Sequence, residues 1–269
     1  MTSSNRIDTR FAALADAERK ALVPFITAGD PSLEATVPVM HALVAAGADV
    51  IELGMPFSDP MADGPVIQRS SERALARGAN LAHVFDSVRA FRERDADTPV
   101  VLMGYLNPVE IRGPAAFATQ AAAAGVDGVL LVDLPPEEAA DIREAFSDAG
   151  VALILLAAPT TDDTRLALLG KLAAGYLYYV SVAGVTGAGH LDTGAAGARL
   201  REVRRHSPVP VVAGFGIRDA ASAAAMARES DGVVVGSALV AALADATGPE
   251  DAAARAAAFL QPLRGALDA

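Results

Sequence analysis

The chain has 269 residues, 52% of them hydrophobic, and its mean hydropathy is +0.32. That composition excludes a disordered chain, and no apolar run is long enough to span a bilayer. A net charge of −11 argues against a general nucleic-acid binder, and the lack of cysteine excludes disulfides, thiolate chemistry and zinc–cysteine sites.

The N-terminal stretch Met1–Arg10 is polar and carries no apolar core of a signal peptide, so a cytoplasmic protein is expected. A leading helix is expected at about 8–19. Strands are then expected at 21–28, 49–55, 99–105, 127–133, 151–157, 176–182, 209–214 and 232–236. Between them fall alanine-rich amphipathic stretches at 33–46, 65–77 with 81–94, 114–124, 136–149, 162–174, 194–206, 219–229 and 237–245, with a trailing helix at 249–264. Gly47, Gly78, Gly125, Gly150 and Gly175 mark helix ends, while Pro31-Ser32, Asp162-Asp163 and Asp219 mark helix starts.

Eight β-then-α units with strands too apolar for one wet face imply a parallel sheet covered by helices. Within this length the expected fold is an α/β (β/α)8 TIM barrel with extra N- and C-terminal helices, a single domain over 1–269. The rival is an open doubly wound sheet. Its usual Gly-x-Gly-x-x-Gly turn is missing after the first strand, where Ala28-Gly29-Asp30-Pro31 stands instead.

Barrels gather their reactive groups at the carboxyl ends of the strands. Here those ends offer Phe25, Thr27, Glu52, Tyr105, Asn107, Asp133, Tyr178 and Ser181, without Lys or His. Glu52 stands out because an ionised carboxylate buried without partners costs several kcal/mol, roughly, and such acids serve as proton-transfer groups with raised pKa. Asp63 follows in a loop punctuated by proline and glycine, where an ordinary turn-forming role competes with a catalytic one. Of the histidines, His41, His83 and His206 are expected to be solvated on helices, and His190 has no assigned role.

Glycine-rich turns at 183–189, Gly214-Phe215-Gly216 and Gly236-Ser237 follow the last three strands. Backbone amides freed by glycine approach anions closely, and this end of a barrel commonly holds phosphate. The segment 184–194 has the length and glycine content of a mobile lid.

The run Ile51-Glu52-Leu53-Gly54-Met55-Pro56-Phe57-Ser58-Asp59-Pro60-Met61-Ala62-Asp63-Gly64-Pro65 resembles the alpha subunit family of tryptophan synthase. Pro24–Pro31, Met103–Pro108, Asp133-Leu134-Pro135, Gly184–Gly187 and Gly214–Ile217 extend the resemblance in the family's order, from about 20 to 265. It implies cleavage of indole-3-glycerol phosphate to indole and glyceraldehyde 3-phosphate, in an alpha2-beta2 complex with a beta subunit. It also implies no cofactor on this chain, pyridoxal phosphate belonging to the beta subunit.

On the same resemblance Glu52 and Asp63 are catalytic and Tyr178 is the phenol beside the substrate. Gly187, Phe215, Gly216, Gly236 and Ser237 contact its phosphate, with Thr186 in the same set of turns. Phe25 and Tyr105 are candidates for an apolar wall against the indole, and Asp133 for an acid that orients Tyr178 or the lid. One departure is Val182, where many members carry Arg, so a lid-closing ion pair from that position is not expected.

The residues also limit the chemistry. An imine-forming aldolase needs a Lys at a strand end, and the chain has only Lys20, before the first strand, and Lys171, in a helix. No His cluster suggests a metal-dependent aldolase. General acid–base catalysis remains. Glu52 is expected to move a proton between indole C3 and the side-chain hydroxyl, and Asp63 to accept from the ring N–H. A regulatory phosphate-binding barrel and a sugar-phosphate isomerase are the competing readings. The proline-rich loop Pro56–Pro60 and the segment Tyr105–Ile111 are expected to be loops facing the partner.

Overall fold

The chain's computed structural model describes residues 5–180, 193–214 and 216–269. Strand β1 (Ala21–Thr27) pairs in parallel with β2 (Ile51–Gly54). The order continues through β3 (Val100–Gly104), β4 (Gly128–Leu131), β5 (Ala152–Ala157), β6 (Leu177–Val180), β7 (Val211–Gly214) and β8 (Gly232–Val235). Strand β8 pairs back onto β1, closing the barrel that the alternation of elements predicts.

Helix α1 (Arg6–Asp16) precedes the barrel, followed by α2 (Thr36–Ala45), α3 (Pro65–Ala76), α4 (Leu81–Arg92), α5 (Leu106–Arg112) and α6 (Pro114–Ala124). Helices α7 (Ala140–Asp148), α8 (Asp163–Leu172), α9 (Thr193–His206), α10 (Ala220–Ala227), α11 (Ser237–Leu243) and α12 (Pro249–Leu267) complete the order. No helix among the described residues is long and apolar enough to cross a membrane.

Successive side chains on a strand point to opposite faces, so each strand feeds two cores. Leu22, Ile26, Ile51, Leu53 and Leu102 pack outward into the layer beneath the helices. Ala21, Val23, Val50, Val101, Leu130, Tyr176 and Val212 fill the lumen, together with Ile7, Phe11 and Leu14 of α1. Helix α1 therefore closes the N-terminal mouth of the barrel with its apolar stripe. Arg6 fixes it to Asp127 at 2.8 Å, and Asp127 also takes Arg92 at 2.7 Å and the Val100 amide at 2.8 Å. Helix α12 is anchored by Arg264, which reaches Asp49 at 3.0 Å and the Lys20 carbonyl at 3.0 Å.

The five helix-end glycines named from sequence all adopt positive φ. Asp162 and Asp219 cap α8 and α10 as expected, accepting from Arg165 and Ser222 amides. Three features differ. Pro31-Ser32 leads into a 3-10 turn at Leu33–Ala35, and α2 starts only at Thr36. Tyr105–Ile111, expected as a loop, is mostly α5, because Pro108 sits in its first turn, where no amide is needed for the helix ladder. His41 and His83 are half-buried rather than solvated, His41 against the Phe91 ring at 4.8 Å and His83 near the Thr36 hydroxyl at 3.4 Å.

Helix α1 ends without glycine. The Arg19 amide donates to the Leu14 carbonyl at 2.9 Å and the Glu18 amide to Ala15 at 3.1 Å, a Schellman closure that puts Glu18 at φ +53°. A side chain there costs about 1 kcal/mol. Glu18→Gly is expected to stabilise the protein by roughly 0.5–1 kcal/mol, read as a higher urea midpoint at unchanged m-value.

Candidate active site

Glu52 lies on β2 in register with Phe25 of β1 and Val101 of β3. Its neighbours Ile51 and Leu53 face the helices, so the alternation sends its carboxylate into the lumen. It is fully buried. The Tyr176 hydroxyl donates to its Oε1 at 2.6 Å, and Oε2 has no partner among the described residues. Burial pushes the carboxyl up to about 7, against the smaller lowering effect of the Tyr176 hydrogen bond. A carboxyl at that value holds and releases a proton near neutral pH.

Tyr176 immediately precedes β6, and two residues on Tyr178 shares its face; both belong to the lumen, while Tyr179 packs outward. Burial raises the Tyr178 hydroxyl well above its ordinary range, and the charges of Glu52 and then Asp63 add to the effect. Tyr178 thus stands within electrostatic reach of both acids. Its ring has room only because residue 214 is glycine: a Cβ there would sit 2.1 Å from the Tyr178 oxygen. Gly54 likewise makes room for the Phe25 ring, whose Cζ would be 2.6 Å from a Cβ.

Asp63 reaches the mouth from the segment joining β2 to α3. The Tyr105 hydroxyl donates to its Oδ2 at 2.9 Å and accepts from the Ala62 amide at 3.0 Å. Gln68 of α3 donates to the Asp63 carbonyl at 2.9 Å. Burial raises the Asp63 carboxyl, with the Tyr105 hydrogen bond acting the other way. Helix α3 is tied to the end of β1 by a Thr27–Ser70 hydroxyl pair at 2.6 Å, and its last turn to the segment after β1 by the two-pronged Arg73–Asp30 ion pair at 2.8 Å. Phe57 stacks on the Tyr105 ring at 5.1 Å.

Phe25, Gly54, Met55, Asp63, Met103 and Tyr105 border a cavity of only about 10 Å³. That is about the minimum for one water, so an aromatic substrate enters only if these side chains or the 55–63 segment move.

Gly216, at φ +72°, follows β7, and Gly236 and Ser237 join β8 to α11 at the same end of the barrel. Thr186, Gly187, Phe215, Val182, His190 and residues 184–192 of the proposed lid lie outside the described residues. Asp133 is exposed, and its Oδ1 accepts from the Leu106 amide at 2.8 Å, while the lid it is expected to orient falls almost wholly among residues that are not described. That hydrogen bond satisfies the first amide of α5, and no bond from Asp133 to Tyr178 occurs among the described residues. Two residues escaped the sequence reading, Tyr176 and Gln68. The strand period of two was the available signal for Tyr176, since it must share a face with Tyr178.

These features define a (β/α)8-barrel enzyme whose mouth holds carboxylates and phenols shielded from water. Residues 11–268 match the family model for the tryptophan synthase alpha chain. A tryptophan synthase alpha chain of Xanthomonas axonopodis pv. citri is 70% identical over 264 residues, 98% of each chain. One from Xylella fastidiosa is 69% identical over 265 residues, 98% of this chain and 99% of its own. The crystal structure of the Legionella pneumophila subunit alpha superposes with a TM-score of 0.93 at 46% identity, covering 99% of both chains. A chain from the Pyrococcus furiosus tryptophan synthase complex gives 0.83 at 37% identity, covering 92% of this chain and 99% of its own. The chain belongs to the tryptophan synthase alpha chain family, lyases of tryptophan biosynthesis.

Proposed function

We propose that the single barrel, residues 1–269, cleaves indole-3-glycerol phosphate with Glu52 as the proton carrier. The observation behind this reading is a fully buried carboxyl lifted to about 7, with one oxygen bonded to Tyr176 and the other unpartnered. Protonated Glu52 gives its proton to indole C3, which makes the ring an electron sink for the bond to the side chain. The carboxylate left behind takes the proton of the adjacent hydroxyl as its carbon becomes the aldehyde. Bond cleavage returns the electron pair to the ring and leaves Glu52 protonated.

Asp63 accepts from the ring N–H and stabilises the positive charge that builds there. Tyr178 and Phe25 form the apolar wall. Thr186, Gly187, Phe215, Gly216, Gly236 and Ser237 hold the phosphate, chiefly through backbone amides. Lys20 stands before β1, with its ammonium on the Ser230 carbonyl at 2.7 Å, and Lys171 lies in α8, so neither supports an imine route. The acid–base route uses no cofactor on this chain. The cysteine-free sequence supports a cytoplasmic setting.

If the protonated carboxyl begins the reaction, kcat/KM falls above about pH 7. In Tyr176→Phe the carboxylate loses its donor, its charged form is less favoured, and the falling limb moves to higher pH. A pH–rate profile whose limb stays in place, or moves down, contradicts the assignment.

A beta subunit is the proposed partner, supported by the Pyrococcus furiosus complex among the structural relatives. Met61, in the segment after β2, and Ile111, in α5 after β3, are 86% and 78% exposed and offer apolar side chains that a docked partner would cover. Purified chain is expected to release indole from indole-3-glycerol phosphate, to co-elute with the beta subunit and to turn over faster on mixing. No indole release defeats the reaction; unchanged elution and rate defeat the partnership alone.

A further inference from the structure

A cavity of about 820 Å³ lies at the opposite end of the barrel from Glu52. It opens where the Glu18–Lys20 turn enters β1, Ser207–Pro210 enters β7 and Asp231 precedes β8, against the last turns of α9. Its charge is the reverse of the chain's. Arg19, Lys20, Arg201, Arg204 and Arg205 line it against only two acids, Glu18 and Asp231, in a protein of net charge −11.

Three of these cations have carboxylate partners: Arg204 on Asp231 at 2.5 Å, Arg201 on Glu229 at 2.7 Å and Arg19 on Asp268 at 3.1 Å. The other two do not among the described residues. Lys20 donates to the Ser230 carbonyl at 2.7 Å, and Arg205 makes one long bond to the Arg201 carbonyl at 3.4 Å. Glu202 feels Arg205 only through space. A concave surface with unneutralised cations over low-dielectric walls concentrates positive potential.

The walls are apolar: Phe11, Leu14 and Ala15 of α1 on one side, Pro208, Val209 and Pro210 on the other. The volume falls in the range of small-molecule sites, roughly 300–1,000 Å³. We propose that this cavity is a second ligand site, for a small anion that joins an apolar body to a phosphate or similar group. Lys20 and Arg205 meet the anionic group, and the α1 stripe and the 208–210 prolines meet the body. The site is linked to the catalytic end through one wall residue: Phe11 packs on the Tyr176 ring at 5.7 Å, and Tyr176 holds Glu52. The binding claim stands independently of Glu52's role; any effect on turnover rests on it.

Calorimetric titration of the full chain with phenyl phosphate, inorganic phosphate and phenol tests the claim. Phenyl phosphate is expected to bind best, at least about tenfold more tightly than inorganic phosphate, with affinity falling as salt is added. Arg205→Glu, at an exposed position with one weak bond, is expected to weaken it about tenfold while indole release without the ligand stays unchanged. Lys20→Glu is the second variant, with thermal melting as the check on its fold. Phenyl phosphate affinity that is the same in wild type and Arg205→Glu overturns the proposal, because the heat then arises at the substrate's phosphate turns. No heat up to about 10 mM overturns it as well.

Discussion

Glu52→Gln is expected to lose most turnover and, at pH 8, to fold more stably than the wild type. Positioned acid–base groups contribute about 10²–10⁴-fold, and glutamine neither gives nor takes the proton that C3 and the hydroxyl exchange. Stability moves the other way because of where the acid sits. The folded carboxyl titrates at about 7 against an ordinary value of 4.5, so the native state binds the proton more tightly than the unfolded chain. Stability is then fully present below about pH 4.5 and lost as pH rises through 7. The loss amounts to about 3 kcal/mol. The amide has no such titration and still accepts from Tyr176 through its carbonyl oxygen. Urea unfolding at pH 4.5 and pH 8 is expected to show a gap between the two proteins only at the higher pH. A variant that retains turnover, or that is equally destabilised at both pH values, defeats the assignment of Glu52 as a strained proton carrier.

That trade between stability and chemistry was legible because burial and alternation are written locally. Ile51-Glu52-Leu53 puts one acid between two outward-facing aliphatics, and a period of two turns it into the lumen without further information. Helix ends at Gly47 or Gly125 were readable for the same reason, since a positive φ is a local requirement. Partners distant in sequence were not. The Tyr176–Glu52 bond joins residues 124 positions apart; the period of two puts Tyr176 with Tyr178 on one face, but nothing local names Glu52 as the acid that the Tyr176 hydroxyl meets. Helix α5 hides for a similar reason: its first amide is capped by Asp133 from the next βα loop, 27 residues on. Glu18 closes α1 in a conformation that sequence rules reserve for glycine, so that helix end had no marker at all.

Asp63 gives the second large effect, and its neighbour Tyr105 separates chemistry from scaffolding. Asp63→Asn keeps the shape of the side chain but removes the negative charge that would face the indole nitrogen. Loss of one such group costs about 10²–10³ in kcat, and it falls on kcat because the nitrogen becomes positive only as C3 is protonated. Tyr105→Phe removes a hydroxyl that holds Asp63 Oδ2 and the Ala62 amide together at 2.9 and 3.0 Å. The charge survives there and only its placement loosens, so roughly a tenfold loss is expected, shared between KM and kcat. Gln68 still holds the Asp63 carbonyl, which limits the damage. Steady-state kinetics on both variants decide between the roles. Equal losses would make Asp63 a loop anchor like Tyr105, whereas a kcat effect confined to Asp63→Asn is what a charge acting on the ring nitrogen requires.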